Sequence, residues 1–303
     1  MEEERKRVLR KQHIAGLLLA LLWIAIFYLA SQYLRINGGE FLGGALFVYL
    51  LYLYVCAVLA GDYVTDYKTN VIRPLVYRLD PNLTYECHRR IPKETFLASK
   101  LYDSMSKLFD DAHYSGDDYV SGIILGIPVE FSELEFVHIN TTPDHTEKTT
   151  IFEGIFFVCE FNKSVDHDIF IHTGDSDAWM FAKNLVRLDN PEFGKNFTVF
   201  CEDPITAHYV LTHTMMERLL QFKRKMGVPI DASIIGSKFY LGLKYGKKAL
   251  FEADVEKSLF DDSDIRFYTE ILTGVYEIVG DFRLSEYLWS KKERLQQLSG
   301  DIT

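Results

Sequence analysis

Short motifs that identify common enzymes are missing from this 303-residue chain. It has no glycine-rich phosphate loop ending in Lys-Ser/Thr, no Gly-x-Gly-x-x-Gly, no His-Glu-x-x-His and no Gly-x-Ser-x-Gly. These absences exclude the commonest nucleotide-binding enzymes, zinc proteases and serine hydrolases. They predict that the protein binds no cofactor, and they leave open an enzyme of unfamiliar type.

Cysteine is also scarce, with four residues in the chain. Cys56 lies in an apolar run, while Cys87, Cys159 and Cys201 are far apart and form no Cys-x-x-Cys pair. Scattered cysteines of this kind are typical of reduced core residues rather than of a disulfide framework or a zinc site. The sequence therefore predicts no metal centre, and the cysteines agree with a cytoplasmic location.

Basic residues are outnumbered, with 33 Lys and Arg against 43 Asp and Glu and a net charge of −10. Sequence-independent binding to nucleic acid depends on contacts between basic side chains and phosphates. The charge balance therefore predicts that nucleic acid is not a partner.

Charged residues are absent from two apolar runs near the N-terminus, 14–34 and 41–60. Each run has about the ~20 residues that an α-helix needs to cross ~30 Å of hydrocarbon. Only residues 35–40 separate the runs, so the sequence predicts a transmembrane helical hairpin over 14–60. We expect a basic N-terminus at 1–13 and one domain at 61–303.

The flanking charges predict the orientation of the hairpin. Five basic residues precede the first run, and the turn carries only Arg35. Because excess Lys and Arg stays in the cytoplasm, both termini are predicted to be cytoplasmic in a multi-pass protein. Two alternatives stay open: the first run could be a cleaved signal peptide, and the basic N-terminus could bind anionic lipid. The basic residues are Arg5, Lys6, Arg7, Arg10 and Lys11.

Strand patterns follow residue 116 and predict an antiparallel sheet. Period-two runs occupy 119–125 and 129–139, and a phase slip in the second run indicates a bulge. The run 150–161 is apolar on both alternating faces, which is typical of a central strand. Shorter strands are predicted at 168–172 and 197–201. Gly236-Ser237 predicts a hairpin turn between 230–235 and 238–243.

Helices are predicted between and after these strands. Apolar spacing favours one helix from Pro92 to about 110 and another at 264–279. Thr214 and Glu217 match a capping box for a third helix that Gly227 ends. Runs of strands with packed helices indicate an α+β domain.

Two groups of polar residues are weak candidates for a catalytic site. Asp117 and Asp118 are adjacent carboxylates at the start of a predicted strand, and His172 is followed by Asp175 and Asp177 just after another. Carboxylates beside an imidazole can perform acid–base chemistry. The alternative is that both groups form turns or cap helices.

Five segments together resemble a bacterial family of unknown function, domain of unknown function 3137. They are Gly-Asp-Asp-Tyr-Val-Ser-Gly with Ile-Pro-Val-Glu-Phe-Ser-Glu (116–133), Ile-Phe-Glu-Gly-Ile-Phe-Phe-Val-Cys-Glu-Phe-Asn-Lys (151–163), Asn-Pro-Glu-Phe-Gly-Lys-Asn-Phe-Thr-Val-Phe and the helix start after it (190–220), Ser-Lys-Phe-Tyr-Leu (237–241) and Leu-Phe-Glu (250–252). The resemblance spans about 60–285 and implies a bacterial inner-membrane protein. It implies no activity and no catalytic residues.

Three functions are consistent with these patterns. A membrane-anchored interaction or scaffold protein is favoured, with the lipid bilayer and either a protein partner or further copies of the chain as partners. An enzyme of unfamiliar type, such as a hydrolase, would need the acidic or histidine residues named above. A transport component would need oligomerisation, because the two spans carry no charge.

Overall fold

The computed structural model describes residues 1–33, 38–102, 112–141, 146–160, 164–174, 184–246, 251, 255–256 and 265–280. The chain divides into two compact units. The first contains Met1–Pro74 together with Phe251–Asp264, and the second contains Leu75–Leu250 together with Ile265–Thr303. The first unit therefore combines the N-terminal helices with a segment from near the other end of the chain.

Helices and strands make an α+β fold with a large antiparallel sheet. The helices are α1 (Glu2–Tyr33), α2 (Gly38–Tyr67), α3 (Arg73–Leu79), α4 (Lys93–Ala98), α5 (Pro191–Asn196), α6 (Pro204–Val210), α7 (His213–Met226) and α8 (265–280). The strands are β1 (Leu83–Glu86), β2 (His113–Ile124), β3 (Ile127–Thr141), β4 (Thr146–Glu160), β5 (Ile169–Thr173), β6 (Leu185–Val186), β7 (Phe197–Cys201), β8 (Ile230–Ile235) and β9 (Lys238–Lys244). The predicted fold class is confirmed at this level.

The two long helices α1 and α2 run antiparallel and pack side by side. Near one end, the Gln12 side chain donates to the Cys56 carbonyl oxygen at 3.1 Å. Nearer the turn, the Trp23 ring covers Gly44, where a Cβ would lie 1.9 Å from the indole. Glycine at position 44 therefore lets the helices approach closely in this register.

Large apolar side chains cover the outer surface of this helical hairpin. They include Leu17, Leu18, Leu21, Leu22, Leu46, Phe47, Leu50 and Tyr54, all of them exposed. The most apolar 18-residue window of each helix is 0% buried, and both helices are long and apolar enough to cross a membrane. Exposing such a surface to water costs about 25 cal/mol per Å². The hairpin surface therefore suggests membrane association.

Arg5 joins the start of α1 to the distant segment of the same unit. Its guanidinium donates to the Val255 carbonyl oxygen at 2.9 Å, across 250 residues of sequence. It also forms an ion pair with Glu2 at 2.8 Å, and the Arg5 side chain is buried. The base of the hairpin thus includes chain from both ends of the sequence.

A π-helical turn, Lys68–Ile72, connects α2 to α3. The Arg73 amide donates to the Lys68 carbonyl oxygen, five residues earlier. Pro74 has no amide hydrogen to donate, and widening the preceding turn lets the helix continue past it. The chain therefore stays helical past Pro74, to Leu79.

The nine strands lie in the order β1-β2-β3-β4-β9-β8-β5-β7-β6, and each neighbouring pair is antiparallel. The central position predicted for residues 150–161 is confirmed, because β4 pairs with β3 on one side and β9 on the other. The predicted hairpin around Gly236-Ser237 is also present as β8 and β9.

Both faces of the sheet are buried around β4. On one face, Phe96 of α4 contacts the rings of Phe136, Phe152 and Phe156 at centroid distances of 4.9–5.6 Å. The alternate residues of β4 and its neighbours point to the other face, where Phe157 is completely buried. Two covered faces explain why β4 is apolar at successive positions.

Three local predictions are wrong. The helix that starts after Pro92 ends at Ala98 rather than near 110, and residues 103–111 lie outside the described part. The cap of α7 is Thr212, whose hydroxyl accepts from the Met215 amide at 3.3 Å, so Thr214 is not the cap. The bulge predicted within 129–139 lies instead on the partner strands of β3, because the register shifts insert extra residues into β2 and β4.

Candidate functional site

Asp117 and Asp118 lie within β2, at a β-bulge, and not at the strand start that the sequence predicts. Asp117 is opposite Glu133 of β3, and the pairing resumes only at Val120. Asp118 has a left-handed backbone conformation (φ 56°) and is completely buried. The bulge turns both aspartates toward Glu133, and carboxylate oxygens of the three residues lie within 4.8 Å of one another.

Tyr85 fixes the buried carboxylate of this acidic cluster (Asp117, Asp118 and Glu133). Its hydroxyl donates a hydrogen bond to Asp118 Oδ1. Burial and then the Asp118 charge raise the pKa of Tyr85 far above its usual value, so the tyrosine keeps its proton and remains a donor. The hydrogen bond compensates part of the cost of burying Asp118.

The acidic cluster could hold a divalent cation, because Mg²⁺ and Ca²⁺ prefer oxygen ligands. Asp117 and Glu133 are partly exposed, and Asp118 is completely buried. Acidic residues also gather at bulges and turns without any ion. The geometry therefore permits a cation site and does not by itself assign one.

His172 belongs to a second, separate polar group in the sheet. It lies on β5 opposite Asp231 of β8, and its Nδ1 is 3.2 Å from Asp231 Oδ1. Lys244 of β9 places its Nζ 2.6 Å from Asp231 Oδ2, and the Tyr102 hydroxyl donates to the same oxygen at 3.4 Å. We call His172, Asp231 and Lys244, with Tyr102, the Asp231 network.

The Asp231 carboxylate is charged although it is almost fully buried. Burial favours the neutral acid, but the hydrogen bond from His172 and the charge of Lys244 outweigh burial and lower the pKa of Asp231. Lys244 is the most exposed member of this ion pair, with 29% of its side chain accessible against 3% for Asp231. The arrangement can anchor the three strands β5, β8 and β9.

Of the three residues in the predicted histidine site, the structure describes His172. Asp175 and Asp177 lie outside the described residues, and the described carboxylate beside His172 is Asp231, 59 residues further along the chain. Sequence reasoning missed Asp231. The available signal was a single aspartate inside the otherwise apolar strand 230–235, since a buried charge requires a partner.

A cavity of about 430 Å³ lies where α5 begins and α6 meets α7. Its walls include Asp189, Asn190, His208, His213, Met216 and Glu217. His208 belongs to α6 and His213 to α7, so the two histidines reach the cavity from different helices. The sequence did not indicate this cavity, because its polar residues come from three elements.

Glu217 is held in position on the cavity wall. The Asn190 side-chain amide donates to Glu217 Oε1 at 3.0 Å. Asn190 Oδ1 accepts from the amides of Glu192 and Phe193, both at 3.0 Å, and so caps α5. Glu217 therefore joins α7 to the start of α5 instead of completing a capping box.

Comparison with solved structures gives one weak match. The crystal structure of the mycobacterial trehalose monomycolate transport factor A, TtfA, matches at 9% identity and a TM-score of 0.24, covering 59% of this chain and 94% of that chain. A score this low supports no argument about fold or function. No curated protein sequence matches the chain.

A family model matches the part of the chain that contains the cavity and, apart from Tyr102, the Asp231 network. The matched segment is shorter than the resemblance over 60–285. The three residues of the acidic cluster lie outside it. Residues 150–284 match the family described as "Protein of unknown function (DUF3137)", which confirms the resemblance over this segment.

Proposed function

We propose that this chain is a bacterial inner-membrane protein whose helical hairpin anchors an interaction domain at the cytoplasmic surface. The exposed apolar surface of α1 and α2 carries the proposal, because a lipid bilayer is the environment in which that surface is stable. The basic residues before α1 favour an orientation with both termini in the cytoplasm.

The polar groups in the second unit support an interaction role over catalysis. Asp118 is buried and bonded to Tyr85, and His172 is buried beside Asp231. Both groups connect neighbouring strands, so each has a structural role that explains its presence. Binding surfaces for a protein partner, or for another copy of the chain, then become the expected functional feature of the domain.

Topology can be tested with two matched reporter fusions. An alkaline phosphatase fused after Thr303 should be inactive and a fluorescent protein fused there should fluoresce, because the first requires export and the second folds in the cytoplasm. Alkaline carbonate should leave the full chain in the membrane pellet. Active phosphatase would refute the orientation, and release by carbonate would refute the membrane anchor.

One alternative, an enzyme of unfamiliar type, is favoured by the close spacing of the acidic cluster. Replacing Asp117 and Asp118 together by asparagine separates the two functions. If the double variant keeps its melting temperature and fails to rescue a deletion phenotype, the cluster is an active or ligand site. The proposed function expects lower stability with rescue retained at permissive temperature, because Asp118 is part of the fold.

A further inference from the structure

The cavity between α5, α6 and α7 carries an unbalanced set of charged and polar groups. Asp189 and Glu217 contribute carboxylates, and His208 and His213 contribute imidazoles. None of the described residues that line the cavity is lysine or arginine. A cavity with this lining repels anions and favours a cation. The buried Met216 would contact an apolar part of the same ligand.

Glu217 provides a prepared acceptor in this cavity. Asn190 is nine-tenths buried and holds Glu217 Oε1 through a 3.0 Å hydrogen bond. Among the described residues, nothing donates to the second oxygen, Oε2. A half-buried carboxylate of fixed orientation needs little reorganisation to accept a charged donor, and this preorganisation favours binding.

An organic cation fits the cavity better than a metal ion. Among the described residues, a set of three ligand atoms within 4.8 Å of one another occurs in the acidic cluster and not in the cavity. The ligand atoms around the cavity are spread more widely than a metal ion requires. An ammonium or guanidinium group can instead donate to acceptors that are several ångströms apart.

The surface beside the cavity indicates that the cation belongs to a protein. Helix α6 exposes Ile205 (78%) and Tyr209 (44%) one turn apart, and His208 from the same helix lines the cavity. Exposed apolar side chains next to a polar recess are typical of surfaces that bind proteins. A free amine would gain nothing from Ile205.

We propose that this cavity docks a lysine or arginine side chain of a partner protein, with an adjacent apolar residue of the partner packing on Ile205 of α6. The inference rests on the proposed interaction function and names the chemistry of its partner. The cation would donate to Glu217 Oε2 and be attracted by Asp189. The apolar neighbour would remove part of the Ile205 surface from water.

The first test uses defined probes on the full chain in detergent solution. The methionine methyl groups are labelled with ¹³C, and the protein is titrated with n-butylammonium, which has the end of a lysine side chain, or with the uncharged 1-butanol. The Met216 signal should shift saturably with n-butylammonium and not with 1-butanol. The signal of Met226, at the far end of α7, should stay in place. Equal shifts from both probes, or no saturable shift, would overturn the proposal.

Matched variants test whether the Glu217 carboxylate binds the cation. Glu217→Gln should weaken n-butylammonium binding about fivefold, and glutamine can still accept from Asn190. Glu192→Gln removes an acid whose partner is Arg224 rather than the cavity, and binding should not change. Unchanged affinity in Glu217→Gln, with an unchanged melting temperature, would contradict the assigned acceptor.

A tripeptide tests whether the occupant is a protein. Acetyl-Leu-Lys-Leu-amide should bind about threefold more tightly than n-butylammonium, and Ile205→Ser should remove that difference. Equal affinity of the two probes in the unmodified chain would overturn the protein occupant. These titrations do not depend on orientation or carbonate extraction, so the membrane proposal and the cavity proposal can fail separately.

Discussion

Replacing Asp231 by asparagine removes the only negative charge among the described members of the Asp231 network. Asparagine has nearly the same shape, so packing around the side chain is preserved. The ion pair with Lys244 is lost, and His172 loses its acceptor at 3.2 Å. The change therefore isolates the electrostatic contribution of one buried carboxylate to the stability of β5, β8 and β9.

The expected loss follows from burial. Removing one partner of a buried ion pair typically costs 3–5 kcal/mol, or about 3 kcal/mol here because Lys244 is partly exposed and screened by water. For a domain of this size, 1 kcal/mol corresponds to about 2–4 °C. Asp231→Asn should thus lower the melting temperature of the full chain in detergent by roughly 6–12 °C, measured by circular dichroism.

The pH dependence gives an independent check. The folded-state pKa of Asp231 lies below that of an unfolded aspartate, so its ionisation stabilises the fold above about pH 4. This stabilisation is lost as the pH falls through the lower, folded-state pKa. The difference in melting temperature between the unmodified chain and Asp231→Asn should be constant from pH 5 to 7 and should narrow below about pH 4.

Asp168→Asn is the matched control. Asp168 also pairs with a lysine at 2.6 Å, but Lys100 and Asp168 are 48% and 33% exposed. Exposed pairs contribute about 0.5 kcal/mol, so this variant should lose only roughly 1–2 °C. Equal losses in the two variants, or no loss in Asp231→Asn, would refute the argument from burial.

Two further variants test the sheet. Gly154→Ala should destabilise the domain by several kcal/mol, because its Cβ would lie 1.9 Å from the Leu243 carbonyl oxygen. Gly194→Ala is the control and should be neutral or stabilising, because the space around the new methyl group is open. Equal melting temperatures for the two alanine variants would contradict the close approach of the strands. Phe157→Asp places a charge where the native ring is completely buried and should lower the melting temperature by more than 10 °C or prevent folding, and an unchanged melt would show that β4 is not central.

The sequence predicts the presence of helices and strands in this fold better than the residues at which they end. The turn residues Gly236-Ser237 and the apolar run at 150–161 are local signals, and the structure contains both features. The end of α4 has no such signal, because an apolar stripe continues past Ala98 after the helix has stopped. The backbone leaves the helical conformation at Lys100, whose φ is 54°, and the apolar spacing alone does not report that change.

The candidate sites depend on pairings that sequence separation conceals. Asp117 and Asp118 are adjacent, so the sequence indicates them, but Glu133 reaches them only through the register of β2 and β3. His172 and Asp231 meet because β5 lies beside β8 in a sheet whose strand order does not follow the chain. The cavity requires three helix ends to converge, and no periodic pattern records that convergence.

The contact between Arg5 and Val255 constrains the order of events during synthesis. Arg5 is synthesised 250 residues before its carbonyl partner, Val255. At about 5–20 residues per second, the delay is roughly 10–50 s. The apolar helices are therefore complete long before the base of the hairpin can close, and any chain truncated before Val255 would lack that contact.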